Sequence, residues 1–140
     1  MVDFFTSQVF LTVAGCWLSA KIIKTILRFR AGSKLKDIFD AGGFPSEHTS
    51  IVMGIFFVTA FETNWDPVIS TITFFIAALF IYDATHIRYQ SELHAKILNQ
   101  LTEAKKLLKM PLENSLGRTY FEVLGGALVA LIVSLISYYL

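Results

Sequence analysis

The sequence has little of what soluble enzymes and secreted scaffolds are built from. It carries one cysteine, Cys16, among 140 residues. An internal disulfide is therefore excluded, and a cysteine-rich zinc site with it. Cys16 lies in an apolar run and reads as a small buried hydrophobe. Histidines number three and show no metal-ligand spacing, so no metal or other cofactor is expected. Charged residues make up 16% of the chain, against about 25% in a typical soluble domain. The net charge is +1, which supplies no broad basic surface, and no nucleic-acid partner is expected. Internal repeats and low-complexity tracts are missing too.

Apolar side chains fill the space left by these absences. Hydrophobic residues reach 54%, thirteen of them phenylalanine, and mean hydropathy is +0.58. This composition points to a single all-α domain over residues 1–140, an integral membrane bundle. A spanning helix needs about 20 mostly apolar residues. Four segments qualify or nearly do: Phe4 to Leu27, about Thr49 to Phe61, Pro67 to Tyr82, and Tyr120 to Leu140. The first reads as retained, because Asp3 stands where a leader's basic region would lie and no clear cleavage site follows. Trp65, Tyr82, Tyr120, Tyr138 and Tyr139 sit at segment ends, as interfacial aromatics do. The linker ETNWDP predicts a tight antiparallel hairpin between the second and third segments.

The basic residues are sided. Six of the twelve lie in 21–36, including Lys34 and Lys36, and six in 88–118. With four spans both stretches meet one face, which the positive-inside rule makes cytoplasmic. Within 87–109, Ile97, Leu98, Leu101, Ala104, Leu107 and Leu108 recur at helical spacing. That pattern predicts an amphipathic cytoplasmic helix resting on the bundle or the bilayer.

Three polar clusters converge on the same face: GGFPSEHTS (42–50), DATHIR (83–88) and LGRTYFE (116–122). Gly42 and Gly43 permit a tight loop, and Ser46, Glu47 and His48 open a helix whose N-terminus favours an anion. Arg88 and Arg118 carry guanidinium forks suited to phosphate oxygens. Lys34 and Lys36 can add charge. His48 titrates near neutrality and can donate a proton to a leaving alkoxide. Asp83 or Glu122 can orient a histidine or hold an arginine. The bland roles stand beside these: Ser46 as an N-cap, Asp83 and Arg88 as a structural ion pair, Glu122 as a helix-dipole partner, and Lys34 and Lys36 as topology signals. His86 and His94 read as solvated interface residues. An anion site at headgroup depth points to a lipid phosphate as its ligand, with membrane lipids as surroundings.

These clusters resemble those of the divergent PAP2 family, small membrane proteins described as acid phosphatase or vanadium-dependent haloperoxidase-related. GGFPSEHTS is similar to the pattern GG-x-PS-x-H-[ST]. YDATHIRYQSELHAKILNQL resembles YDA-x-x-x-R followed by a helix ending in LNQL. LGRTYFEVLGGALVALIVS resembles LGHTP-x-EV-x-GG. The resemblance covers nearly the whole chain. It implies a metal-independent phosphatase-like site. With the anion site at the cytoplasmic face, the expected substrate is a lipid phosphate or pyrophosphate, and a prokaryotic plasma membrane is the expected location. In that pattern His48 is the general acid, Arg88 a phosphate ligand, and Lys34 or Lys36 the leading lysine. Glu122 matches the acidic residue that orients an attacking histidine. The attacking histidine itself is replaced by Arg118, and the motif proline by Tyr120. Arginine stays protonated and cannot attack phosphorus. Three outcomes follow: His86 or His94 substitutes, His48 itself attacks or activates water, or the protein binds a phosphate lipid without cleaving it, with Arg118 as a further clamp. Glu47 places negative charge beside the site unless its side chain points away. A transporter or channel subunit is a third class, disfavoured by the scarcity of polar residues within the spans. Gly125 and Gly126 could pack against a second copy of the chain.

Overall fold

The computed structural model describes residues 4–32, 42–105, 112 and 116–140. Lys34, Lys36, Leu107 and Leu108 lie outside them. Among the described residues every regular element is helical. A short 3-10 turn, Phe4–Thr6, precedes α1 (Gln8–Arg30), α2 (Glu47–Glu62) and α3 (Pro67–Tyr82); a π-helical turn (Asp83–Ile87) leads into α4 (Arg88–Lys105), and α5 (Tyr120–Tyr139) follows.

Local sequence sets the helix ends. Ser7 caps α1 through the Phe10 N–H, and Ser46 caps α2 through the Thr49 N–H. Asp66 accepts both the Val68 and Ile69 N–H groups at 3.0 Å, and Pro67 occupies the first turn of α3. These oxygens satisfy donors that have no partner inside the helix. The hairpin expected from ETNWDP forms, with Asn64 and Trp65 at positive φ and α3 packed on α2.

Among the described residues three helices are long and apolar enough to cross a membrane: Gln8–Arg30, the run from Pro67, and Tyr120–Tyr139. α2 has 16 residues, or roughly 24 Å of rise, against a hydrocarbon core of about 30 Å. It is nevertheless the centre of the bundle, packing on α5, α1 and α3, while α1 also packs on α5. The amphipathic segment is not a separate helix. α3, the π turn and α4 follow one another without a break. Ile97, Leu98 and Leu101 of α4 are exposed.

The buried interior is made of small residues. Cys16, Ala20, Ala60 and Ala130 are fully buried, and Cys16 sits where α1, α2 and α5 meet. The Ser50 hydroxyl donates to the Cys16 carbonyl at 3.0 Å, and a Cβ on Gly54 would meet the Cys16 Sγ at 2.9 Å. Close approach through small residues is how helices associate in lipid, where apolar burial gives no driving force. The large side chains Ile72, Phe75 and Leu79 of α3 point outward.

The glycine pair of α5 is engaged within the chain. A Cβ on Gly125 would meet the Phe44 ring at 2.2 Å, and one on Gly126 would meet the Ser46 carbonyl oxygen at 2.4 Å. The pair lets the 44–46 segment lie directly on α5. Gly15 is different, because its Cβ would find ordinary contact with Val133 at 3.5 Å. Gly126→Ala is therefore expected to destabilise the detergent-solubilised protein by about 1–3 kcal/mol. Gly15→Ala is expected to be neutral or stabilising by up to about 1 kcal/mol. Thermal unfolding of the two variants side by side checks the contrast.

Candidate site: a cationic pocket beside a π turn

The loop before α2 and the start of α5 are tied together by Glu122. One carboxylate oxygen accepts the Gly43 N–H at 2.9 Å, and the other accepts the Thr119 N–H at 2.8 Å. Thr119 returns the contact through its hydroxyl, completing a capping box. The Glu122 carbonyl accepts the Ser46 N–H at 2.9 Å. Phe44 stacks on Phe121 with ring centroids 4.9 Å apart. His48 and Arg118 are thereby anchored to one another through backbone.

The π turn places the second arginine. Arg88 donates its backbone N–H to the Asp83 carbonyl, five residues back, instead of four. Five residues on an α-helix lie on different faces, whereas a π turn sets them one above the other. The Arg88 Nε accordingly bonds the Asp83 carboxylate. The carbonyl of Ala84, in the same turn, accepts the Arg118 N–H at 3.0 Å. One irregular turn thus fixes the side chain of Arg88 and the backbone of Arg118.

The result is a small, partly open pocket with a cavity of about 20 Å³. His48 and Thr49 of α2 line it, with Arg88 and Arg118 opposite. Val52, Phe80 and Ile81 form its apolar wall. Arg118 is buried, 6% exposed, and its Nη1 donates to the Gly117 carbonyl at 2.8 Å. Burial pulls its pKa below the ordinary arginine value, against the opposing pull of Glu122 and Glu47. It remains a cation at physiological pH. His48 stands in the first turn of α2, outside the three long apolar helices. The residue as a whole is exposed, but its ring borders the pocket. Burial of the ring, then the Arg118 and Arg88 charges, hold its pKa below the ordinary imidazole value.

The remaining sequence candidates lie around this pocket. Ser46 is buried, and its oxygen accepts from both the Thr49 N–H and the Thr49 hydroxyl, which makes it the cap rather than a lining group. Asp83 lies behind Arg88 as its ion-pair partner. Glu122 sits on the far side of Arg118, in a second hollow with Glu92 and Gly117. Lys36, like Lys34, falls outside the described residues. Glu47 points away from the pocket: Lys24 Nζ donates to it at 2.9 Å and Trp17 Nε1 at 3.3 Å. His86 is held elsewhere, bonded to the Thr85 hydroxyl at 2.9 Å and stacked on Tyr82. His94 shares that outer groove. Neither lines the pocket. Among the described residues no group of three His, Cys, Asp or Glu is placed to hold a metal ion.

Several supporting residues escaped the sequence reading. Glu92 accepts the Gly117 N–H at 2.9 Å. Asn99 clamps Leu112 from both sides, donating to its carbonyl at 2.9 Å and accepting its N–H at 2.7 Å. Together they tie Leu112 and Gly117 to α4. A Cβ on Gly117 would meet the Tyr89 Cα at 2.7 Å, so only glycine fits there. The five-residue spacing of Asp83 and Arg88 was the available signal for the π turn.

Residues 5–133 match the Divergent PAP2 family. The uncharacterized membrane protein YuiD of Bacillus subtilis (strain 168) is 23% identical over 155 residues, covering 99% of this chain and 98% of that protein. No solved structure matches. With a match running from the start of α1 into α5 and three helices able to cross a bilayer, the chain is a membrane protein of the Divergent PAP2 family.

Proposed function

We propose that the pocket receives the phosphate of a membrane lipid and that the protein is a metal-independent lipid phosphatase. The observation that carries this reading is the pocket's mixed lining. His48, Arg88 and Arg118 supply charge and a titrating group, and Val52, Phe80 and Ile81 supply apolar wall. Phe80 is 53% exposed on the outer surface of the bundle. A headgroup can enter sideways from the bilayer while its chains stay in lipid. A soluble phosphate would gain nothing from that wall.

In this reading α2 completes a fourth crossing together with its flanking loops. The sided lysines and arginines then put the pocket on the cytoplasmic face. Arg88 and Arg118 clamp the phosphoryl oxygens and offset charge that builds on them. The incoming phosphate dianion counters the two guanidiniums and favours protonated His48. Arg118 cannot attack phosphorus, so water does so directly, without a phosphohistidine. The bond from phosphorus to the lipid oxygen breaks, and His48 gives its proton to that leaving oxygen. Lipid alcohol, or lipid monophosphate from a diphosphate, departs with inorganic phosphate. Asp83 holds Arg88 in place; Ser46 and Glu122 hold the loop and α5.

A second reading, binding without cleavage, is favoured by one observation: a buried cation occupies the position where the family pattern has its nucleophile. Phosphate release from a panel of phosphorylated lipids in detergent separates the two. The parent protein is expected to turn over, with His48→Ala at least about 100-fold slower. Release by Arg118→His from a silent parent would instead establish a binding protein on a phosphatase scaffold. Silence from both would overturn the phosphatase reading.

Sidedness is checked by labelling. Cys16 is fully buried and unreactive to aqueous reagents. Ser91→Cys and Glu62→Cys each add one exposed thiol. In intact bacterial cells a membrane-impermeant maleimide is expected to label position 62 and spare position 91. The reverse pattern would invert the topology.

A further inference from the structure

The pocket's mechanism leaves one buried ion pair unused. Lys24, three-quarters of the way along α1, is only 4% exposed. Its Nζ meets the Glu47 carboxylate at 2.9 Å, and that carboxylate also accepts the Trp17 indole N–H at 3.3 Å. Burial works against ionised Glu47, but Lys24 outweighs it and lowers its pKa. A lysine so deeply buried in an apolar helix is costly unless something requires it. Glu47 is also the residue immediately before His48, in the same helical turn. Without Lys24, the carboxylate would keep the Lys21 charge and the Trp17 indole on the α1 side and would face the Arg118 charge on the pocket side.

We propose that Lys24 is a positioning residue for the phosphate site: it holds the Glu47 carboxylate against α1 and so keeps the His48–Arg88–Arg118 pocket open to an external anion. The proposal rests on the phosphate reading for its purpose, but its geometry is independent of it. A carboxylate released toward Arg118 would act as an internal competitor for the lipid phosphate. It would also change the charge on His48. The Lys24–Glu47 pair makes α1 part of the site although α1 contributes no lining residue to the pocket. The other charged groups around His48 have fixed partners. Arg88 on α4 is held by Asp83, and Arg118 is buried in its loop near Glu122, which is itself bonded to Gly43 and Thr119.

The test is a double-mutant cycle read on the His48 imidazole by NMR titration in detergent micelles, on phosphate-free protein. The His48 signal is identified by its loss in His48→Ala. Lys24→Met is expected to raise the His48 titration midpoint by about one unit. In the Glu47→Gln background the same Lys24→Met change is expected to move it by only a few tenths, because no carboxylate is left to release. Lys24→Arg is expected to match the parent. Equal shifts in the two backgrounds would mean that Lys24 acts by its own charge alone, and an unmoved midpoint would mean a purely structural pair; either overturns the proposal. Failure of the parent to bind a short-chain phosphatidic acid would count against the phosphate reading, while the titration cycle would still decide the role of Lys24.

Discussion

The site depends on one carboxylate. Glu122 accepts backbone N–H groups from Gly43 and Thr119 with its two oxygens, and its own carbonyl holds the Ser46 N–H. The Gly43 and Ser46 bonds join the loop before α2 to the first turn of α5 across a long stretch of sequence, and the Thr119 bond closes the cap of α5 itself. Hydrogen bonds to a charged acceptor are the strong ones, the more so where water is scarce. Gly125 and Gly126 allow the joint by letting Phe44 and Ser46 lie on the α5 backbone. His48 follows the joint by a few residues and Arg118 precedes it by a few, so the pocket inherits its geometry from a contact it does not include.

The π turn is the second device. A regular helix through residues 83–88 would aim Asp83 and Arg88 at different faces. The added residue in the turn brings them together and leaves Ala84 bonded to the Arg118 backbone. The turn therefore couples the long third helix to the loop carrying the other arginine. Glu92 and Asn99 extend that coupling along α4. The salt bridges Lys24–Glu47, Arg88–Asp83 and Lys96–Glu92 lie toward the end of the bundle that carries the pocket.

Much of this was legible from sequence, and for physical reasons. Apolar runs mark membrane helices because lipid demands them, and three of the expected spans have the necessary length. The convergence of His48, Arg88 and Arg118 followed from topology and family pattern together. The roles of single residues were less legible. Ser46 and Glu122 serve loops and caps, because the same atoms that suit phosphate also suit backbone N–H groups. The glycine pair signals close approach without saying to what. α2 is short because its neighbours, rather than its own length, hold it in the bundle. The Lys24–Glu47 pair joins residues on different helices, and no local spacing announces it.

The central claim is that three side chains from three separate segments form one anion site open to lipid. The direct measurement is a 31P NMR titration of a short-chain phosphatidic acid in detergent micelles against the purified protein. The account predicts a saturable shift or broadening of the phosphate signal, weakened at least tenfold by Arg118→Gln and by Arg88→Gln in folded protein. A phosphate signal that never saturates, or that saturates equally with both variants, would contradict it.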